Sequence, residues 1–201
     1  MGTGAAAGRV RAAAGAAAGL SAAAALPAWA SQRWPAVFDA LVLERAAVAG
    51  GQWWRLWSGH LAHLDGRHAT VNLLALALLA VAAARLRSLP ALLGMSLLLM
   101  PLVSLGLLQA APELQWYAGL SGLLHAWAAW LLLRYAGPLG AAGLCVLAAK
   151  LLWEALSPGD ANVAFPVVLE AHRIGALAGL LLATPMVIRR ARRAGLDPPP
   201  P

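Results

Sequence analysis

The sequence predicts an all-α polytopic membrane protein, a bundle of six transmembrane helices in a single domain over 1–201. Three observations carry that prediction. Hydrophobic residues make up 61% of the 201 positions, before its 20 glycines are counted, and charged residues only 11%. A soluble domain has roughly 45–50% apolar residues with glycine included and about 25% charged. A water-soluble globule of this size could neither bury that apolar surface nor cover its exterior with so few charges. The third observation is order: the apolar residues fall in six runs near the 20-residue length a helical crossing needs, with arginines gathered between them.

The first run, 12–31, is alanine-rich and weakly hydrophobic. Within it Ala28-Trp29-Ala30 has the small-x-small form of a leader cleavage site, so a removable signal peptide is the alternative reading. The stretch 32–67 is the one long connection. It holds Trp34, Trp53, Trp54 and Trp57, whose amphipathic rings suit the headgroup level of a bilayer. The second run is 68–84, the third 90–108, the fourth 119–134, the fifth 138–156 and the sixth 166–188. The tail 189–201 ends in four prolines that cannot form helix.

Charge orients the bundle. Arg9 and Arg11 precede the first run; Arg85 and Arg87 follow the second; Arg134 ends the fourth; Arg189, Arg190, Arg192 and Arg193 follow the sixth. With six crossings all of these share one side, while the loops around Glu113 and Asp160 on the other side hold no Lys or Arg. Both termini are therefore expected in the cytoplasm. Arg33, Arg45, Arg55 and Arg67 break the pattern within 32–67 alone. The net charge of +7 reads as this topology rather than as nucleic-acid binding. A single cysteine, Cys145, excludes an intrachain disulfide and a cysteine metal cluster.

Polar groups at membrane depth are costly, so each marks a candidate function. His68 and Asn72 open the second run, Ser121 and His125 the fourth, and His172 and Arg173 the sixth; Lys150 and Glu154 lie on the fifth. Ser121 stands two residues into its run. His172 stands six residues into its own, about 9 Å below the start. Ser121, His172, His68 and Asn72 thus share one slab near the outer leaflet. In Gly119-Leu120-Ser121-Gly122 a serine sits between glycines where a loop enters a helix. Glycine admits close backbone approach, and the free N–H groups of a first helical turn favour developing negative charge. A serine there can attack a carbonyl while its own N–H helps bind the oxyanion; close helix packing is the structural alternative. Gly175 and Gly179, with Ala171 and Ala183, form a small-residue row beside His172 that lets the sixth helix press on a neighbour. If that neighbour is the fourth helix, His172 reaches Ser121. His68 and Asn72, at i and i+4, share a face and can both donate to an oxyanion. His60, His63 and Asp65 precede them, either solvated or tying down the loop.

These segments together resemble the rhomboid family of intramembrane serine proteases. The matching stretches are Trp54-Arg55, the His63 to Asn72 run with its His-x4-His-x3-Asn spacing, Gly119-Leu120-Ser121-Gly122, and Ala171-His172-x2-Gly175-x3-Gly179. Within the family the chain looks most like the small bacterial rhombosortases, by its minimal six-run length, its Gly-Leu-Ser-Gly-Leu-Leu-His at the serine and its Lys150-x3-Glu154. The resemblance implies a Ser–His dyad without a carboxylate, needing no cofactor or metal. Ser121 would be the nucleophile and His172 the general base and then acid, with Asn72, His68 and the Ser121 N–H as oxyanion hole. Gly119, Gly122, His125, Gly175 and Gly179 would support the site. The substrate would be a membrane-anchored protein cut near the outer face, bearing a C-terminal sorting tail: a Gly-Gly-type motif, an apolar span, then basic residues. The implied location is the bacterial inner membrane, with the site open to the extracytoplasmic side.

One departure stands out. Many rhomboids carry a tyrosine four residues after the serine, packed on the catalytic histidine; this chain has His125. It could stack on His172, shape the substrate pocket, or itself be the base. Lys150 and Glu154 read as a structural intramembrane ion pair, with recognition of the substrate's tail as the alternative. Two other functions compete: a metal-dependent membrane enzyme using His60, His63, His68 and His172, since imidazoles suit zinc or iron, and a catalytically inactive rhomboid-like protein that grips transmembrane helices.

Overall fold

A computed structural model describes residues 3–135, 137–157 and 168–193. The expected loop around Asp160, residues 166–167 and the proline tail lie outside them. The chain is mostly helical. Its elements are α1 (Thr3–Arg33), α2 (Pro35–Leu41), β1 (Leu43–Glu44), α3 (Arg45–Ala49), α4 (Arg55–Ser58), α5 (Gly66–Arg85), α6 (Leu89–Ala110), β2 (Trp116–Tyr117), α7 (Ser121–Tyr135), α8 (Gly137–Leu156) and α9 (Leu169–Arg193).

Five helices are long and apolar enough to cross a membrane: α1 over Arg11–Arg33, α5, α6, α8, and α9 over Leu169–Arg190. The fourth expected crossing, α7, has only 15 residues, about 22 Å of helix, so the six-crossing count is not established by length. What α7 lacks in length it has in enclosure: eight of its residues are buried. Leu123, Trp127, Trp130 and Leu131 form the core with Leu76 and Ala80 of α5, Leu92 and Leu99 of α6 and Ala183 of α9. The Trp127 indole donates to Ser96 Oγ at 3.0 Å, and Ser96 in turn donates to the Leu92 carbonyl. The outward faces carry Val71, Leu74, Leu78, Leu97, Leu152, Leu177 and Leu181, all exposed. An apolar girdle of that extent suits lipid rather than water.

α1 packs along α5 and buries Ala13, Ala17 and Ala28. Near its end Ser31 Oγ accepts from the His63 backbone N–H at 3.1 Å. The helix containing the leader-like Ala28-Trp29-Ala30 is thus an integral part of the packing.

The long 32–67 connection carries structure of its own. It folds into α2, α3 and α4, and β1 pairs antiparallel with β2, Leu43 facing Tyr117 and Glu44 facing Trp116. Pro35 starts α2 at a position whose N–H would be unpaired in any case. Two arginines that broke the charge pattern are consumed here. Arg45 donates to the carbonyl of Leu108, in the last turn of α6 where helical donors run out, and to those of Ala111 and Leu114 in the turn beyond it. Arg55, buried, donates to the carbonyls of Asp39 and Val42. A third tie comes from Pro101 inside α6. Proline has no N–H for the carbonyl four residues back, and the Trp57 indole donates to that Leu97 carbonyl at 2.9 Å.

Candidate active site

α7 and α9 run parallel and in register. A Cβ on Gly175 would collide with the Gly122 carbonyl oxygen, and one on Gly179 with that of Ala126. A Cβ on Gly122 would stand 3.1 Å from the Ala171 carbonyl oxygen. No side chain fits between the backbones at these levels, so the two helix starts lie side by side. Ser121 is the first residue of α7 and His172 lies three residues after the start of α9. Both are nearer their helix ends than the apolar runs suggested, because the helices begin later than the runs do.

His172 is buried. Its ring stacks on that of His125, with centroids 4.1 Å apart and planes 16° apart. His125 Nδ1 lies 2.7 Å from the Ser121 carbonyl oxygen, one turn back along α7. His172 Nδ1 lies 3.1 Å from each carboxylate oxygen of Glu154, and Lys150 pairs with that carboxylate. Lys150 Nζ is also 3.4 Å from Nδ1. The other nitrogen, Nε2, is buried and has no hydrogen-bond partner among the described residues. The expected contact between Ser121 and His172 is therefore not a hydrogen bond in this structure.

On the other side of Ser121 stands α5. Asp65 caps it by accepting from the His68 N–H at 2.8 Å, which fixes the first turn and its His68–Asn72 face. Gly119, at φ +133, adopts a conformation that glycine allows and side chains resist. A Cβ there would fall 2.7 Å from His68 Cε1, with Asn72 Nδ2 3.9 Å away. His68 and Asn72 thus border the backbone two residues before Ser121. The Asn72 amide is itself held: Nδ2 lies 3.0 Å from His63 Nε2, while His63 Nδ1 lies 3.2 Å from the Leu61 carbonyl oxygen. Donation along this chain needs a neutral His63. Burial, with the neighbouring His68 ring, lowers its pKa to about 4.

His60 and His63 are not solvated: both are buried. His60 Nε2 lies 2.9 Å from the Met100 carbonyl oxygen and 3.1 Å from Ser104 Oγ, and burial lowers its pKa to about 4. Its ring meets the edge of Tyr117. Tyr117 is the residue the sequence did not bring forward. Its hydroxyl donates to the Gly119 carbonyl at 2.6 Å and has the Ser121 hydroxyl beside it, and burial raises the phenol to about 12. It remains a neutral donor pinning the bend that leads into Ser121.

Among the described residues no three of His, Cys, Asp and Glu are grouped to hold a metal ion. His60 lies on Met100 and Ser104, His63 on Leu61 and Asn72, His68 against Gly119, and His172 on Glu154 and His125. No family model and no curated protein matches the chain.

Proposed function

We propose that the chain is a rhomboid-type intramembrane serine endopeptidase, rhombosortase-like, with Ser121 as nucleophile and His172 as base. The observation that carries this reading is the parallel glycine contact between α7 and α9. It supports the reading by bringing the start of α7, where Ser121 stands, alongside the start of α9, where the buried His172 has an unpartnered Nε2. The Ser121 Oγ attacks the scissile carbonyl as its proton passes to His172 Nε2. The oxyanion accepts from the Ser121 N–H and from Asn72 and His68. The tetrahedral intermediate collapses as His172 returns the proton to the leaving amine. Water then repeats the sequence on the acyl-enzyme, losing its proton to His172 and releasing Ser121.

The substrates are membrane-anchored proteins with a C-terminal tail of a Gly-Gly-type motif, an apolar span and basic residues. Small residues near the cut let the substrate helix unwind, which frees a peptide bond otherwise shielded by helical hydrogen bonding. The chain resides in a bacterial cytoplasmic membrane with six crossings, α7 being the short, enclosed one. Both termini are cytoplasmic and the site opens to the extracytoplasmic side.

Co-expression with a tail-bearing reporter tests this. Wild type processes it, Ser121→Ala and His172→Ala do not, and a fluorophosphonate labels wild type but not Ser121→Ala. Unchanged processing in both alanine variants removes the dyad. Processing lost in His125→Ala but kept in His172→Ala moves the base to His125. Reporter capture without cleavage or labelling indicates an inactive helix-binding protein.

A further inference from the structure

We propose that Glu154 is a positioning residue for His172, so that the site works as a Lys150–Glu154–His172–Ser121 relay rather than as a dyad without a carboxylate. This rests on the serine-peptidase reading above. A Lys and a Glu four residues apart on a membrane helix can satisfy each other with no third partner. Here the pair does more. The Glu154 side chain is turned inward, 16% exposed against 43% for Lys150, and both its oxygens stand 3.1 Å from His172 Nδ1.

Of the two groups on Nδ1, the Glu154 oxygens at 3.1 Å are nearer than Lys150 Nζ at 3.4 Å, and a carboxylate can only accept, so the closer contact favours the imidazole proton on Nδ1. That choice leaves Nε2 with its lone pair, and Nε2 is the buried, unpartnered atom. Two further contacts lock the ring: the His125 stack on its face and the glycine seam behind it. When Nε2 takes the Ser121 proton, the imidazolium forms against a fixed negative charge. Lys150 offsets the cost of holding that carboxylate at membrane depth. The contact is also unusual for its helix: α8 buries only Gly140, yet from near its end it reaches the most enclosed imidazole of the α7–α9 seam.

The test measures fluorophosphonate labelling rates, and kcat and KM on a tail-bearing reporter, for purified full-length protein. Glu154→Gln lowers kcat about 10- to 1000-fold with KM little changed, less than the roughly 10⁴-fold typical of a fully buried triad carboxylate. Glu154→Asp, which keeps a negatively charged, acceptor-only carboxylate, recovers at least about tenfold of the loss. The Lys150→Met/Glu154→Met double variant replaces the ion pair by apolar side chains and keeps its melting temperature, yet it loses kcat as Glu154→Gln does. Glu170→Gln removes the exposed carboxylate that pairs with Arg173 and leaves the rate unchanged. Ser121-dependent labelling at the wild-type rate in both Glu154→Gln and the double variant overturns the positioning role alone. Labelling that persists in Ser121→Ala overturns the dyad and the positioning role together.

Discussion

Asn72 has a hydrogen-bonding partner that fixes its direction before any substrate arrives. With Nδ2 on His63 Nε2, the amide cannot turn freely, and preorganised donors are the ones that lower barriers. Asn72→Ala should reduce kcat about 10²- to 10³-fold, measured on the reporter. His63→Phe, which keeps a ring but offers no acceptor, should cost less and affect kcat more than KM. The same imidazole also sets an acid limit on the fold. His60 and His63 stay neutral in the folded chain down to about pH 4, whereas an unfolded chain protonates its histidines near 6.5. Between those values the unfolded state binds more protons, so stability declines as pH falls from about 6.5 towards 4. Melting temperatures across that range should fall, and His60→Gln should flatten the decline. Ser121, His172, His68 and Asn72 stand out in the sequence as candidates because a polar atom in an apolar run is conspicuous. Glu154 was legible only as half of a pair, since a self-satisfying i, i+4 pair gives no sign of a third partner on another helix. Tyr117 gave no signal, lying in a short loop where its hydroxyl looks free.

At the scale of the element, the small-residue row on α9 determines the fold's most consequential contact. Gly179→Val would force a branched side chain into the Ala126 carbonyl and should destabilise the protein by at least about 1–3 kcal/mol, read as a lowered melting temperature with loss of fluorophosphonate labelling. The tie between α4 and α6 is milder. Trp57→Phe keeps the ring but leaves the Leu97 carbonyl without its donor, costing about 1 kcal/mol and leaving labelling intact. The long helices could be read from hydropathy to within a few residues at most of their ends, because each apolar run is bounded by Arg, Pro or Gly. The exception is the start of α1, at Thr3 rather than 12. The short elements of 34–65 could not. Their amphipathic signal is shorter than two helical turns, and the β1–β2 pair exists only because Leu43 meets Tyr117 from a distant part of the chain.

For the molecule as a whole, composition points to the membrane class, since 61% hydrophobic residues are hard to bury in a water-soluble domain of this size, and five long apolar helices agree with it. The count of crossings does not follow in the same way, because a helix enclosed by others needs no lipid-matched length and α7 has only 15 residues. Topology is testable directly. In a Cys145→Ser background, a cysteine at Glu113 should react with a membrane-impermeant maleimide on intact cells. One at Arg192 should react only after permeabilisation; the reverse would invert the orientation.

The four-residue repeat of the α7–α9 seam has a mechanical corollary. Gly175 against Gly122 and Gly179 against Ala126 mean that a slip of one turn would still offer a glycine to Gly122. Smallness alone therefore does not choose the register. Such a slip would carry His172 about 6 Å along the axis, off the His125 ring and out of reach of Glu154. The stacked imidazoles act as a dowel between two rails that could otherwise slide.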